Sequence, residues 1–183
     1  MFPTDRGFFT VHSRETMRGT KGENDMSVAL SAADVFGAAI LLEEKGARFY
    51  SDAAARFSGE GKKLLSGLAS MERVHAGRFR KVLEGLPQAG EMTEEKESYL
   101  RMLTGDRIFT PEAEMEKRDD YGGILEKAIT VEKNSVFFYT AVKDSLAQSM
   151  DGTAVDLLIR EEIGHFQSLT DALQRWLERK GEA

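Results

Sequence analysis

Glu72-Arg73-Val74-His75, midway along the run KKLLSGLASMERVHAGRFRKVLE of residues 62–84, is the stretch on which the reading of this chain turns. A carboxylate and an imidazole three residues apart on a helix share one face and converge on one point. The pair returns 90 residues later as Glu162-Ile163-Gly164-His165. Each copy is preceded by a glutamate with a tyrosine seven residues further on, Glu43 with Tyr50 and Glu132 with Tyr139, and these copies lie 89 residues apart. Four side chains thus keep their mutual spacing to within one residue. One Glu-x-x-His is weak evidence, more often a surface pair than a ligand pair. Two of them, each preceded by a glutamate 29 or 30 residues upstream, read as a dimetal site written as an internal repeat, with Glu43, Glu72, His75, Glu132, Glu162 and His165 as candidate metal ligands.

The pattern around these residues is helical throughout. Ser31 with Asp34 looks like an N-cap, and an Ala- and Leu-rich stretch follows to about Phe57. Ser58-Gly59-Glu60-Gly61 breaks the chain, and a second helix runs from about Lys62 to Glu84, where Gly85 and Pro87 stop it. A charged crossover spans about residues 86–120, with one short helical piece near Thr93 to Leu103. A third long helix is expected from about Tyr121 to Ala147, then a Ser149-to-Gly152 turn, and a fourth from about Ala154 to Lys180. No strand pattern is visible. Residues 1–30 lack a sustained apolar period and read as an irregular extension, leaving residues 31–180 as one domain. Two helix hairpins joined by one long crossover make an all-α four-helix bundle.

Each candidate glutamate falls near the middle of its helix, and the paired glutamates of a hairpin sit at similar heights. Their flanks are apolar: Ile40 to Leu42, Ile129 and Val131, Leu157 to Ile159. Four carboxylates in such a core would repel one another and cost several kcal/mol each in lost hydration without compensation. Two divalent cations would make the cluster neutral. Carboxylates with two imidazoles are hard-to-borderline donors that suit iron or manganese, whereas zinc more often takes a four-coordinate Cys/His set.

Composition narrows the alternatives. The 183 residues suffice for one domain with a sizeable core. There is no cysteine, which removes disulfides, iron–sulfur clusters and any rubredoxin-type iron centre. A net charge of −6 offers no basic footprint for nucleic acid. No apolar run approaches the roughly 20 residues of a membrane span, and no signal-peptide pattern opens the chain, so the expected location is the cytoplasm.

At these residues the chain resembles the ferritin-like di-iron carboxylate superfamily, whose general signature is a Glu on each of two helices and Glu-x-x-His on each of the other two. Within it, the run Glu43-Glu44-Lys45-Gly46-Ala47-Arg48-Phe49-Tyr50, the Glu72-x-x-His75 that follows and the long crossover are most similar to rubrerythrin-related proteins without a rubredoxin domain. The similarity covers about residues 32–178. It implies that Glu72 and Glu162 bridge two metals, that Glu43 and Glu132 are terminal carboxylates, and that His75 and His165 each cap one ion. Rubrerythrin proper adds a second glutamate three residues after the ligand on its third helix, where this chain has Ser135. The six-ligand set is that of bacterioferritin, but the haem-ligating Met that follows bacterioferritin's first bridging Glu is here Arg73, so no haem is expected.

The resemblance implies two iron ions, with manganese as the other metal, and an oxidoreductase in which a diferrous centre reacts with hydrogen peroxide or dioxygen. The expected partners are a small oxidant, an external electron donor and a second copy in a homodimer, with neither nucleic acid nor membrane. The alternatives are a ferroxidase serving iron storage or delivery and a manganese catalase-like activity. Tyr50 and Tyr139 are candidate catalytic residues, either bonding a carboxylate or donating an electron; the other reading is core aromatics with satisfied hydroxyls. Phe49, Phe137 and Phe138 read as packing, Glu44 and Glu161 as solvated, His12 as a surface residue, and Trp176 as a hairpin-end core or dimer contact.

Overall fold

The protein is described by a computed structural model. It describes residues 9–10, 29–87, 90–91, 93–104, 115–117, 119–147 and 152–181, and the expectations for His12 and for Ser149 to Asp151 lie outside these. Four long helices are present: α1 (Ala32–Ala54), α2 (Gly59–Glu84), α4 (Tyr121–Ala147) and α5 (Gly152–Gly181), with the short α3 (Glu94–Thr104) in the crossover. The expected extension carries one feature that the alternation pattern gave no hint of. Phe9–Thr10 (β1) pairs antiparallel with Ala29–Leu30 (β2), and Leu30 is buried against the bundle core. Two residues per strand are too few to print a period in sequence.

α1 starts where the capping pattern places it. Ser31 Oγ accepts from the Asp34 backbone N–H at 3.2 Å, and Asp34 Oδ2 accepts from the Ser31 backbone N–H at 2.8 Å. Asp34 Oδ2 also takes Lys96 Nζ at 3.3 Å, which ties the crossover helix to the bundle. The first hairpin turn differs from the expected four-residue break. α1 ends at Ala54, and α2 begins at Gly59 rather than near Lys62. Gly59 has φ +59°, a left-handed conformation that glycine adopts without steric cost, so the residue that closes the turn also opens the next helix. Arg56, in that turn, donates to the carbonyls of Glu116, Lys117 and Asp119, fastening the end of the crossover to the hairpin.

The interior is divided in two. One apolar cluster gathers Phe36, Phe79, Phe138, Val142, Leu146, Val155 and Leu158; the other gathers Phe49, Leu65, Leu68, Ile124, Leu125 and Leu169. Between them lies a layer of buried polar side chains. Trp176 belongs to the hairpin-end packing: a Cβ at Gly122 would stand 2.3 Å from its ring, so only glycine lets α4 approach there. Phe49 and Phe138 are core residues, but Phe137 is 66% exposed and takes no part in the packing expected of it. Among the described residues no helix is long and apolar enough to cross a membrane.

Candidate metal centre

The polar layer consists of the six residues of the repeat. Glu43 comes from α1, Glu72 and His75 from α2, Glu132 from α4, Glu162 and His165 from α5, and none is more than 5% exposed. Ligand-type atoms of Glu43, Glu72, His75 and Glu162 all lie within 4.8 Å of one another. The same holds for Glu72, Glu132, Glu162 and His165. The two clusters share Glu72 and Glu162. Gly46 makes room for the first of these, because a Cβ there would stand 3.2 Å from the Glu72 carboxylate oxygen Oε2.

The donor atoms converge on common points rather than on each other. His165 Nδ1 is 3.6 Å from one oxygen each of Glu72, Glu132 and Glu162, beyond hydrogen-bond range. His75 Nδ1 lies 3.4 Å from Glu43 and 3.0 Å from Glu162, yet neither it nor the facing Glu43 Oε2 and Glu162 Oε1 has a properly aligned hydrogen bond. Glu132 Oε2 and both His165 nitrogens are likewise buried without partners. So many orphaned atoms in one layer are costly unless a further group satisfies them. Carboxylate and imidazole donors at this density suit one or two divalent cations.

Electrostatics in the metal-free protein point the same way. Burial pushes Glu132 up to about 8 and holds Glu72 well above the carboxylate range, the latter helped by its neighbour Glu43. Burial opposes ionisation of Glu162 as well, but the protonated His165 and His75 beside it outweigh that and lower the group to about 2. For the histidines burial alone would lower the affinity for a proton. Glu162 and Glu43 reverse this at His75, raised to about 10, and Glu132, Glu162 and Glu72 reverse it at His165, raised to about 12. Protons therefore occupy positions that cations would take.

The tyrosines cross the bundle. Tyr50 donates its hydroxyl to Glu132, and Tyr139 donates to Glu43, so each serves the carboxylate of the opposite hairpin. The sequence shows only that each tyrosine shares a face with the ligand of its own helix; the antiparallel packing of α1 on α4 turns it to the other. Both phenols are fully buried, and burial, then the nearby carboxylates, pushes their pKa well above the usual value.

Glu161 departs from expectation. It does not simply face water: its Oε2 lies 2.9 Å from His75 Nε2 and takes Arg78 at 2.9 Å. The angular argument placed it about 100° from Glu162 on its own helix, but the neighbouring α2 supplies the partner. The signal available was the repeat itself, since positions 71 and 161 are equivalent and differ in kind, Met against Glu. Ser135, equivalent to Gly46, is buried beside the ligand layer and brings no carboxylate to it.

Comparison with known proteins follows the same residues. The Rubrerythrin family model matches residues 34–118, which takes in α1, α2 and the crossover. A crystal structure from Thermotoga maritima described as a ferritin-like diiron-carboxylate protein superposes with a TM-score of 0.59 at 29% identity, covering 79% of this chain and 95% of that one. A search of curated proteins returns no match. The chain thus has the fold of a ferritin-like diiron-carboxylate protein and is similar to rubrerythrin over residues 34–118, and its 183 residues hold no cysteine for a rubredoxin centre.

Proposed function

We propose that the protein is a non-haem di-iron oxidoreductase that reduces hydrogen peroxide with electrons from an external donor. The observation that carries this reading is the pair of overlapping clusters, each with a histidine and a carboxylate of its own, joined by Glu72 and Glu162. One ion per cluster would let these two carboxylates bridge. Two divalent ions would also balance the four glutamates. When bound, a ferrous pair supplies the two electrons that cleavage of a peroxide O–O bond requires.

The chain's own residues set the conditions. The apolar clusters on either side exclude water from the layer, which strengthens every interaction within it. Glu161, braced by Arg78, fixes the ring of His75 with Nδ1 turned inward. Tyr50 and Tyr139 donate hydrogen bonds to Glu132 and Glu43, the two carboxylates that belong to one cluster each, and so orient the oxygens that remain. Ser135 favours a ligand set that stays the same on oxidation, because a short neutral hydroxyl would not draw an ion toward α4 as its charge rises.

The test is anaerobic loading with ferrous iron, then addition of peroxide with and without a chemical reductant. The expected result is rapid oxidation of the iron and sustained peroxide consumption only when reductant is present, with no oxygen evolved. Oxygen evolution without reductant, favoured by manganese over iron, would replace this reading with a catalase-type activity. Uptake of iron far beyond two ions per chain would replace it with storage.

A further inference from the structure

The two halves of the repeat differ in what stands behind their histidines. On the His75 side, Nε2 lies 2.9 Å from Glu161 Oε2, and the same oxygen takes Arg78 at 2.9 Å. The positions equivalent to Glu161 and Arg78 in the other half are Met71 and Ser168, neither of which carries a charge. Met71 and Ser168 line, with His165, the cleft of about 810 Å³ that Gly67 and Gly164 leave open between α2 and α5. His165 Nε2 is buried and has no hydrogen-bond partner among the described residues.

The nearer surroundings of the two clusters are matched. Glu72 and Glu162 belong to both, and each remaining carboxylate takes one phenol, Glu43 from Tyr139 and Glu132 from Tyr50. Charges that differ between the halves further out are engaged elsewhere. Arg73, where the other half has Ile163, is exposed and donates to Ser51 Oγ and the Ala69 carbonyl. Glu44, where the other half has Lys133, pairs with Arg80.

A carboxylate behind an imidazole changes what the ring offers a metal. His75 Nδ1 is turned to Glu43 and Glu162, so with an ion bound there the ring proton is on Nε2 and is donated to Glu161. That bond makes Nδ1 the more basic donor. A more basic donor favours the ion of higher charge, because the electrostatic gain grows with the charge it meets. His165 lacks this support. Arg78 offsets the charge of Glu161 only in part, since the arginine side chain is 52% exposed and screened by water, whereas that of His75 is 1% exposed.

We infer that the two metal positions differ in their hold on electrons: in the pair carrying one ferrous and one ferric ion, the ferric ion is beside His75 and the ferrous ion beside His165, with Glu161 as the positioning residue that sets this order. The inference rests on the di-iron reading and adds a sequence to it. When an external one-electron donor reduces the diferric pair, the first electron goes to the ion beside His165 and the second to the ion beside His75.

The test treats diferrous protein anaerobically with one equivalent of ferricenium, which takes one electron from each pair and leaves as ferrocene. Electron paramagnetic resonance in frozen solution counts the mixed-valence pairs formed. Anomalous diffraction from crystals of this state, recorded across the iron absorption edge, reads the oxidation state of each ion separately. The expected result is the higher edge energy beside His75, with a preference for ferric iron there of at least about tenfold, or ~59 mV for one electron. Glu161→Gln, loaded to the same two ions per chain, keeps the shape of the contact and removes its charge, so the preference should fall by about tenfold or more and the two edges should move together. Equal edges in the wild type, ferric iron beside His165, or a wild-type distribution in Glu161→Gln overturns the inference, and two ions on the six residues leave the metal reading intact. Fewer than two ions on those residues in the wild type overturns the metal reading itself.

Discussion

Glu161 is where the two copies of the repeat part company, and it is the residue whose removal separates their roles. Glu161→Gln keeps the shape but takes the charge from His75 Nε2. Outer partners of this kind commonly carry about 10- to 100-fold in metal affinity. The expected outcome is weakened binding of one of two ferrous equivalents, seen as a split in an anaerobic titration; an unchanged titration would make Glu161 a bystander. Gly46 gives a second test. Alanine in its place improves helix propensity by about 1 kcal/mol, yet its Cβ would press on the shared carboxylate of Glu72. Gly46→Ala should therefore lower affinity for both ions while the metal-free protein melts no earlier than wild type. The six residues that the bundle brings together were legible because chemistry repeated at a fixed spacing. Glu161 and Gly46 were not, since each acts through a residue on a neighbouring helix.

The helices were legible where local chemistry marks their ends. Ser31 and Asp34 form the expected capping box, Gly85 closes α2, and α4 occupies the expected residues 121–147. The hairpin turn was misplaced because glycine signals a break in sequence, whereas Gly59 opens α2. Packing between helices left no local mark at all. Gly122 reads as one more small residue in a Gly-Gly pair, yet it is the point where α4 closes on Trp176. Gly122→Ala should force that ring outward and cost about 1–3 kcal/mol, read as a lower urea midpoint. Gly123→Ala, beside it with its nearest contacts at 3.6 Å or beyond, should cost less. Equal losses would show that backbone freedom matters there rather than the contact.

At the scale of the molecule, the polar layer makes stability depend on pH in the metal-free protein in a way that bound metal should remove. In the metal-free protein, the raised pKa of His75 stabilises fully below its ordinary value of 6.5, and that contribution is lost as pH rises through about 10. Glu132, raised from 4.5 to about 8, adds a cost that grows across that interval and is complete above it. Metal-free protein should thus lose stability steadily between pH 6.5 and 10 in urea titrations. The metal-loaded protein should show no such fall, because its ligands are already deprotonated. Loading at neutral pH should release protons, up to about four from Glu72, Glu132, His75 and His165, measurable by calorimetry in buffers of different ionisation enthalpy. The bundle and its buried site could be read from one sequence because both follow from helical periodicity. The α2–α5 cleft could not, since it arises from side chains absent at Gly67 and Gly164 in a seam whose existence only packing defines.

The central claim is that six side chains hold two ions which share Glu72 and Glu162. It is tested most directly by a crystal structure of ferrous-loaded protein with iron located by anomalous scattering. The account predicts two peaks within one chain, both in contact with Glu72 and Glu162, one capped by His75 and the other by His165. A single peak, or two that share no carboxylate, would contradict it.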